Sequence, residues 1–290
     1  MSDGVSCDSS REFERNVRRN DGEDESDGES QELGTTEGIA EALRIAGPRD
    51  EAKTPSEKKN HAERLSRELA MRISRALTDV FPGILPSVDG RGQESRARSS
   101  KGYKRLDVNY STAELGLGLG ISIKTINFRD AKTKRYTKNY TRADAELRAE
   151  AADYHERQPY AVMIALIFLP LDCCDDGEAR SKAPSSFGQA VQIFRMRSGR
   201  EKPTDAALLF ERVFIGLYDH AIENHGRIRF FDVVRPPPKR GRPVGLLTLN
   251  ETIEEIVKSY DARNSPTFVW ADGDVETVIV EPDDSDDEEE

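Results

Sequence analysis

Apolar residues recur at helical spacing along the stretch that follows residue 56. Three to four positions separate them, as on one face of an α-helix, and a Pro-Gly pair at 82–83 ends the run. The apolar positions are Leu65, Leu69, Ile73, Ala76, Leu77 and Val80. This spacing predicts one amphipathic helix over residues 57–80.

Further along, the pattern alternates or becomes continuously apolar, as in strands. After a polar, arginine-rich stretch at 87–103, predicted to be a loop, it predicts an alternating strand at 104–111, a glycine-punctuated strand at 116–128 and a buried strand at 158–171. Further strands are predicted at 189–196, 226–234 and 275–280, and a helix or strand at 204–216.

Two more helices follow from the same kind of pattern. One covers residues 143–157 and stops before Pro159; the other covers residues 250–263 and begins with Asn250 as its cap. The mixture of helices and strands predicts an α/β fold, with one mixed central sheet flanked by helices.

Charge divides the chain into three parts. Residues 1–56 carry a net charge of -8, residues 281–290 also carry -8, and residues 57–280 carry +5. The acidic ends are rich in Asp, Glu, Ser and Gly, so we expect a disordered N-terminal region at 1–56 and an acidic tail at 281–290, around an ordered domain at 57–280. Within the N-terminal region, a short helix is possible at 39–46. Within that domain, residues 91–148 carry +8, which favours a polyanion-binding surface. Tails that only aid solubility remain the alternative.

Several classes are disfavoured by composition. No apolar run approaches the ~20 residues that span a bilayer, and the acidic N-terminus is unlike a signal peptide. We therefore expect a cytoplasmic protein with no membrane contact. The three cysteines and four histidines form no zinc-site spacing.

The central stretch carries the candidate chemistry. Asp107 lies in one predicted strand and Lys124 in the next, and Gly120, Ser122 and Lys124 share one side of theirs because strand side chains alternate. Pairing of the two strands would bring Asp107 beside Lys124, with Glu114 near the ends of the strands. A carboxylate holds Mg²⁺, the metal activates a water, and a lysine stabilises charge on a phosphate.

This arrangement resembles the PD-(D/E)xK nucleases, a superfamily that includes type II restriction endonucleases and bacterial defence nucleases. The similarity covers residues 57–170. It implies a restriction-endonuclease-like fold, with Asp107 as the first metal-binding acid and Lys124 as the lysine of the motif. Ser122 occupies the usual position of the second acid. Because acids are relocated in some members, Glu114 or Glu68 is the expected replacement.

The resemblance therefore implies an Mg²⁺ or Mn²⁺ ion held by Asp107 and Glu114, with Asp107, Glu114, Glu68 and Lys124 as catalytic candidates. Other interpretations remain open for each residue. Asp107 could be a strand-end carboxylate paired with Lys104 or Arg105, Glu114 a turn residue and Glu68 part of a solvated helix flank.

Two basic segments are candidate DNA contacts. In the segment 129–142, lysines and arginines alternate with tyrosines, a composition suited to phosphate contacts. The sequence Arg-Gly-Arg-Pro at 240–243 resembles an AT-hook, which inserts arginines into narrow minor grooves of DNA. The candidate nucleic-acid-binding residues are Lys132, Lys134, Arg135, Lys138, Arg142, Arg240 and Arg242. Solvated loops are the alternative for both segments.

Together these features predict a metal-dependent DNA endonuclease of restriction or phage-defence type. Two alternatives are a non-catalytic DNA-binding subunit that keeps the nuclease fold, and an interaction adaptor in a bacterial defence complex. DNA is the expected partner; a defence-system partner protein and a homodimer are both left open.

Overall fold

A five-stranded mixed sheet forms the centre of the computed structural model, which describes residues 38–113, 116–177, 183–238 and 241–264. The strands in these ranges are β1 (Arg96–Ser99), β2 (Gly102–Arg105), β3 (Val108–Thr112), β4 (Gly116–Thr125), β5 (Val162–Pro170), β6 (Arg212–Tyr218) and β7 (Ile228–Asp232). The helices are α1 (Ala40–Ala46), α2 (Pro55–Leu77), α3 (Tyr140–His155), α4 (Ser186–Phe194) and α5 (Leu249–Asn264).

The sheet has the order β3-β4-β5-β6-β7, while β1 and β2 form a separate hairpin. Strand β5 pairs in parallel with β4 and β6, and the two outer pairs are antiparallel. All nine residues of β5 are buried. This burial explains why its sequence is continuously apolar rather than alternating.

Helices cover both faces of the sheet. Met163, Ala165 and Ile167 of β5 share a core cluster with α3 and α4. The intervening side chains, such as Ile164 and Leu166, share a second cluster with α1, α2 and α5. The expected α/β class with a mixed sheet flanked by helices is confirmed.

Most of the predicted elements of the central region are present. Helix α2 corresponds to the predicted helix 57–80, and its Thr54–Glu57 capping box explains why it begins at Pro55. The strands predicted at 116–128, 158–171 and 226–234, and the helix predicted at 143–157, correspond to β4, β5, β7 and α3. Of the segment 204–216, only the part from Arg212 onward is regular, and it is a strand.

Three local predictions are wrong. Residues 189–196 are mostly helical, as the end of α4, because Phe187, Ala190, Val191 and Phe194 bury one face at helical spacing. A run that short does not distinguish the two periods. The loop predicted at 87–103 contains β1 and the start of β2.

The third error concerns the cap of α5, which is Thr248 rather than Asn250. The Thr248 hydroxyl accepts from the backbone N–H of Glu251 at 3.1 Å, and the Glu251 carboxylate accepts from the N–H of Thr248 at 2.7 Å.

Folded structure begins earlier than residue 57, because the short helix that the sequence allowed at 39–46 is present as α1. Ile39, Ala42, Leu43 and Ala46 of the α1 region are buried against α2. The rest of the predicted acidic N-terminal region, the strand at 275–280 and the tail 281–290 lie outside the described residues. Within the described ranges, no helix combines the length and apolar character needed to cross a membrane.

Candidate metal and nucleic-acid site

Asp107 lies between β2 and β3, where the chain enters the sheet, and not inside a strand as predicted. The strand predicted at 104–111 is interrupted at residues 106–107, so its two parts belong to different sheets. Asp107 Oδ2 accepts a hydrogen bond from the backbone N–H of Ile123 at 2.6 Å. Backbone pairing of β3 with β4 ends at Val108 opposite Ile121. The Asp107 carboxylate therefore accepts a hydrogen bond from β4 just beyond the last paired residues. Asp107 is thus fixed beside the part of β4 that carries Ser122 and Lys124.

Ser122 and Lys124 both contact one carboxylate of α3. The Ser122 hydroxyl donates to Glu150 Oε2 at 2.9 Å, and Lys124 Nζ lies 3.5 Å from the same oxygen. Lys124 Nζ is also 3.9 Å from Glu146 Oε2. The predicted placement of Ser122 and Lys124 on one side of β4 agrees with this geometry.

The local sequence of α3 explains why its two glutamates lie there. Ala143, Leu147 and Ala151 are buried and anchor the helix on the sheet. Glu146 and Glu150 are one helical turn apart, on the stripe adjacent to this apolar face. They therefore project beside the sheet edge while keeping access to solvent: the Glu150 side chain is 16% exposed and that of Glu146 is 44% exposed.

The electrostatics couple three of these groups. Burial, followed by the charge of Glu150, raises the pKa of Asp107 to about 6, although the Ile123 N–H and Lys124 act in the opposite direction. Burial disfavours the charged form of Lys124, but Glu150, Asp107 and Glu146 outweigh it, so the pKa of Lys124 is raised. Asp107 and Lys124 therefore lie close enough to affect each other, without a direct ion pair.

The carboxylates that lie nearest to Lys124 belong to Glu146 and Glu150 of α3, and neither residue was among the predicted site residues. Glu68 on α2 makes no hydrogen bond or ion pair with another described residue, and Glu114 lies outside the described residues. Instead, Glu63 of α2 lines a cleft of about 370 Å³ together with Lys124 and Glu146. The sequence feature that could have identified these acids is the pair of glutamates four residues apart on α3, Glu146 and Glu150.

The alternative pairing of Asp107 with Lys104 or Arg105 is wrong. Lys104 instead contacts the buried Asp153 on α3, and Arg105 contacts Glu94 at 2.7 Å. Neither base is directed to Asp107. Asp107 therefore takes no part in these two ion pairs.

The basic segment 129–142 is a tightly folded connection with its own acceptors. Asp130 accepts from the backbone N–H groups of Lys132 and Thr133, and it pairs with Lys138 at 3.2 Å. The Thr133 N–H and Lys138 lower the pKa of Asp130 to about 2. Lys132 and Lys134 are exposed and have no ion pair with a described residue.

The other predicted DNA contacts are engaged within the protein. Arg135 donates to the carbonyl of Pro184, and Arg142 pairs with Glu146 at 2.7 Å. Arg242 pairs with Asp175 at 3.1 Å, whereas Arg240 lies outside the described residues. Of this predicted set, Lys132 and Lys134 are the described members that remain unpaired.

Among the described residues, no group of three or more His, Cys, Asp or Glu side chains is arranged to hold a metal ion. The charge of Glu150 raises the pKa of Asp107, and the charges of both acids raise the pKa of Lys124.

Comparison with models of protein families, with curated proteins and with solved structures gives no match. The fold and this edge of the sheet define an α/β protein with an acidic and lysine-containing cluster at the start of β3.

Proposed function

We propose that the protein is a metal-dependent DNA endonuclease with a restriction-endonuclease-like fold. The observation that carries the proposal is the contact of Glu150 with both Ser122 and Lys124, beside Asp107. The resemblance expects a second acid two residues before the lysine. Glu150 supplies a carboxylate at that place from the neighbouring helix.

The donor set suits a hard divalent cation such as Mg²⁺ or Mn²⁺. Asp107 and Glu150 both present carboxylate oxygens, and their mutual repulsion contributes to the raised pKa of Asp107. A divalent cation between them would relieve that repulsion. Because Mg²⁺ keeps several waters and is often held by one or two carboxylates plus phosphate oxygens, a third protein acid is not required.

When bound, such a cation lowers the pKa of a water and polarises the phosphate. Lys124 remains protonated at neutral pH because its pKa is raised. It therefore acts as a hydrogen-bond donor and charge stabiliser for a phosphate oxygen, rather than as a base. Glu150 and Glu146 hold the ammonium group in position for that role.

A non-catalytic DNA-binding subunit is the second candidate. It is favoured by the side-chain contacts of Glu150, because its Oε2 already accepts from Ser122 and lies near Lys124. If these contacts persist when DNA is bound, the cluster stabilises the fold and binds no metal.

Cleavage of supercoiled plasmid and of a linear duplex, with Mg²⁺, Mn²⁺ or EDTA, separates the two candidates. The endonuclease requires nicking or cutting by the wild type with metal, and loss of cleavage in Asp107→Asn and Lys124→Met. Glu254→Gln is a matched control, since Glu254 is exposed on α5 and does not line the cleft that contains Lys124. Cleavage that persists in both site variants would refute the assignment.

Metal-dependent unfolding gives a second readout. The endonuclease predicts that Mn²⁺ raises the melting temperature of the wild type but not of Asp107→Asn, because binding to the folded state alone stabilises it. A wild type that binds DNA, shows no metal-dependent shift and cuts no substrate would support the non-catalytic subunit instead.

A further inference from the structure

The hairpin that precedes Asp107 presents a basic face to solvent. Between Ser95 and Leu106 the chain has five basic residues and no acid. In the β1–β2 register, Arg96 is opposite Arg105 and Arg98 is opposite Tyr103. Directly paired residues of antiparallel strands project from the same face, so these four side chains form one surface, here called the ribbon face.

The ribbon face is open and has few acidic partners. Arg96, Arg98 and Arg105 are exposed, and Tyr103 is 64% exposed. Arg105 pairs with Glu94, whereas Arg96 and Arg98 have no ion pair with a described residue. The Arg98 guanidinium lies 5.7 Å from the centre of the Tyr103 ring, within the range of a cation–π interaction.

The opposite face of the hairpin is anchored on α3. Ala97 and Ser99 are buried, and Asp153, also buried, pairs with Lys101 and Lys104. The Tyr154 hydroxyl donates to the carbonyl of Lys104 at 3.0 Å. The hairpin is therefore held by the same helix that carries Glu150.

The ribbon face has an excess of positive charge, because Glu94 neutralises Arg105 alone of its three arginines. Arginines placed directly opposite each other, as Arg96 and Arg105 are, repel. A polyanion would relieve this repulsion, and the neighbouring tyrosine offers a flat surface for a sugar or base.

We infer that the ribbon face binds duplex DNA by inserting β1 and β2 into the major groove. This inference rests on the proposed nuclease function for its choice of partner. Four-residue strands are about 13 Å long at ~3.3 Å per residue, and the major groove of B-DNA, about 12 Å wide, admits a two-stranded ribbon. Asp107 follows the end of β2 by two residues, so a phosphate near the ribbon is also near the candidate site.

Duplex DNA is favoured over duplex RNA on geometric grounds. The major groove of A-form RNA is deep and too narrow for protein side chains to read. A ribbon that enters a major groove therefore discriminates between the two duplexes, whereas a simple basic patch does not.

The test is fluorescence anisotropy with the full chain in EDTA, which prevents cleavage. The probes are a 20-bp DNA duplex and the RNA duplex of the same sequence. The variant is Arg96→Gln with Arg98→Gln. Its matched control is Arg67→Gln with Arg227→Gln, which removes the same charge from exposed arginines on α2 and before β7.

We expect the wild type to bind the DNA duplex more tightly than the RNA duplex. The ribbon variant should lose about 10-fold or more in DNA affinity, and its log–log salt dependence should fall by roughly 1.8, at ~0.9 per phosphate contact. The control pair should stay within about 2-fold of the wild type. Tyr103→Ala should also weaken DNA binding while leaving the salt dependence unchanged, because it removes no charge.

Equal losses in the ribbon variant and the control would overturn the inference. Equal affinity for DNA and RNA would also overturn it, since the surface would then be a non-selective polyanion patch. Circular dichroism and melting temperature check folding of each variant.

The experiments distinguish failure of the nuclease proposal from failure of the ribbon inference. A wild type that never cuts, but loses DNA affinity in the ribbon variant, keeps the ribbon inference and refutes the endonuclease. A wild type that cuts, with ribbon variants that bind and cut like the wild type, refutes the ribbon inference alone.

Discussion

The hydroxyl of Ser122 on β4 donates a hydrogen bond to the carboxylate of Glu150 on α3 at 2.9 Å, across 28 residues of sequence. A serine at this position is small enough to leave room for the glutamate, and its hydroxyl orients that carboxylate toward Lys124. An acid at position 122 would repel Glu150 at the same place. Ser122 and Glu150 are therefore a complementary pair, and substitutions in one should depend on the other.

The first prediction concerns the origin of the second acid. Glu150→Gln keeps the acceptor for Ser122 but removes the charge, so cleavage should fall by about 100-fold or more, as expected for the loss of a charge-stabilising group. Glu68→Gln should change the rate by less than about 2-fold, because Glu68 contacts no described residue of the site. Single-turnover cleavage with saturating Mg²⁺ measures both. The opposite pattern, with loss in Glu68→Gln only, would assign the acid to α2.

The second prediction concerns the pH dependence of stability. The pKa of Asp107 is about 6 in the folded protein and 3.8 as its ordinary value, so the folded state retains a proton that the unfolded state releases. Stability from this group is fully present below pH 3.8 and is lost as pH rises through 6. The loss amounts to at most about 3 kcal/mol at 1.36 kcal/mol per pKa unit.

Asp107→Asn should remove that pH dependence, because the amide oxygen still accepts from Ile123 N–H without titrating. Urea unfolding at pH 5 and pH 8 should show the variant losing less stability than the wild type over this interval. Glu254→Gln, an exposed change of the same kind, should follow the wild type. Identical pH profiles of the wild type and Asp107→Asn would contradict the raised pKa.

The third prediction concerns a buried charge cluster that fixes the end of α5. Glu211 Oε1 accepts from Arg263 at 2.8 Å and Arg200 at 3.2 Å, and its Oε2 accepts from Met163 N–H at 2.6 Å. Glu211→Ala leaves two buried arginines without their counter-charge, which should cost about 3–5 kcal/mol of unfolding free energy.

Guanidinium unfolding of Glu211→Ala measures this cost. Glu201→Ala is the control, because Glu201 is exposed and lines a cavity together with Glu211, and it should change stability by less than about 0.5 kcal/mol. A cost below about 1 kcal/mol for Glu211→Ala would mean that the arginines find other acceptors.

The fourth prediction concerns the N-terminal boundary. Removal of residues 1–36 should leave the melting temperature unchanged. Removal of residues 1–56 should lower it, because this deletion also removes the buried Ile39 and Leu43. It also removes the Ala46 carbonyl, which accepts a hydrogen bond from Arg64 at 2.7 Å. The longer deletion should cost several kcal/mol, at about 1.5–3 kcal/mol per buried aliphatic side chain. Thermal unfolding of the two truncated chains compares them; equal melting temperatures would contradict a structural role for α1.

The shorter deletion also tests competition with DNA. Residues 1–36 carry a net charge of -7 and residues 281–290 carry -8. Removing both should tighten binding to a mixed-sequence duplex at low salt, where screening is weakest. Equal affinities of the full and the shortened chain at low salt would leave these segments with a role in solubility or partner docking.

The sequence by itself determined those features that depend on local periodicity. Strand alternation placed Ser122 and Lys124 on one side of β4, and the continuous apolar run of β5 identified a strand buried on both faces. The apolar spacing of α2 likewise predicted its buried positions Leu65, Leu69, Ile73 and Leu77. Ala76 is exposed, and Val80 lies beyond the end of the helix and is also exposed. These properties need only the residues of one element, so a single sequence is sufficient.

Only the tertiary structure decided which elements meet at the site. Glu150 lies 26 residues from Lys124 in sequence, and its contact with that lysine depends on how α3 packs on β4. Residues 96–103 of the hairpin were predicted to be a loop because the strands are short and their outer face is charged. The hairpin is anchored by Asp153, about 50 residues away. Such contacts are set by packing and by the neutralisation of buried charge between distant segments, which no local pattern encodes.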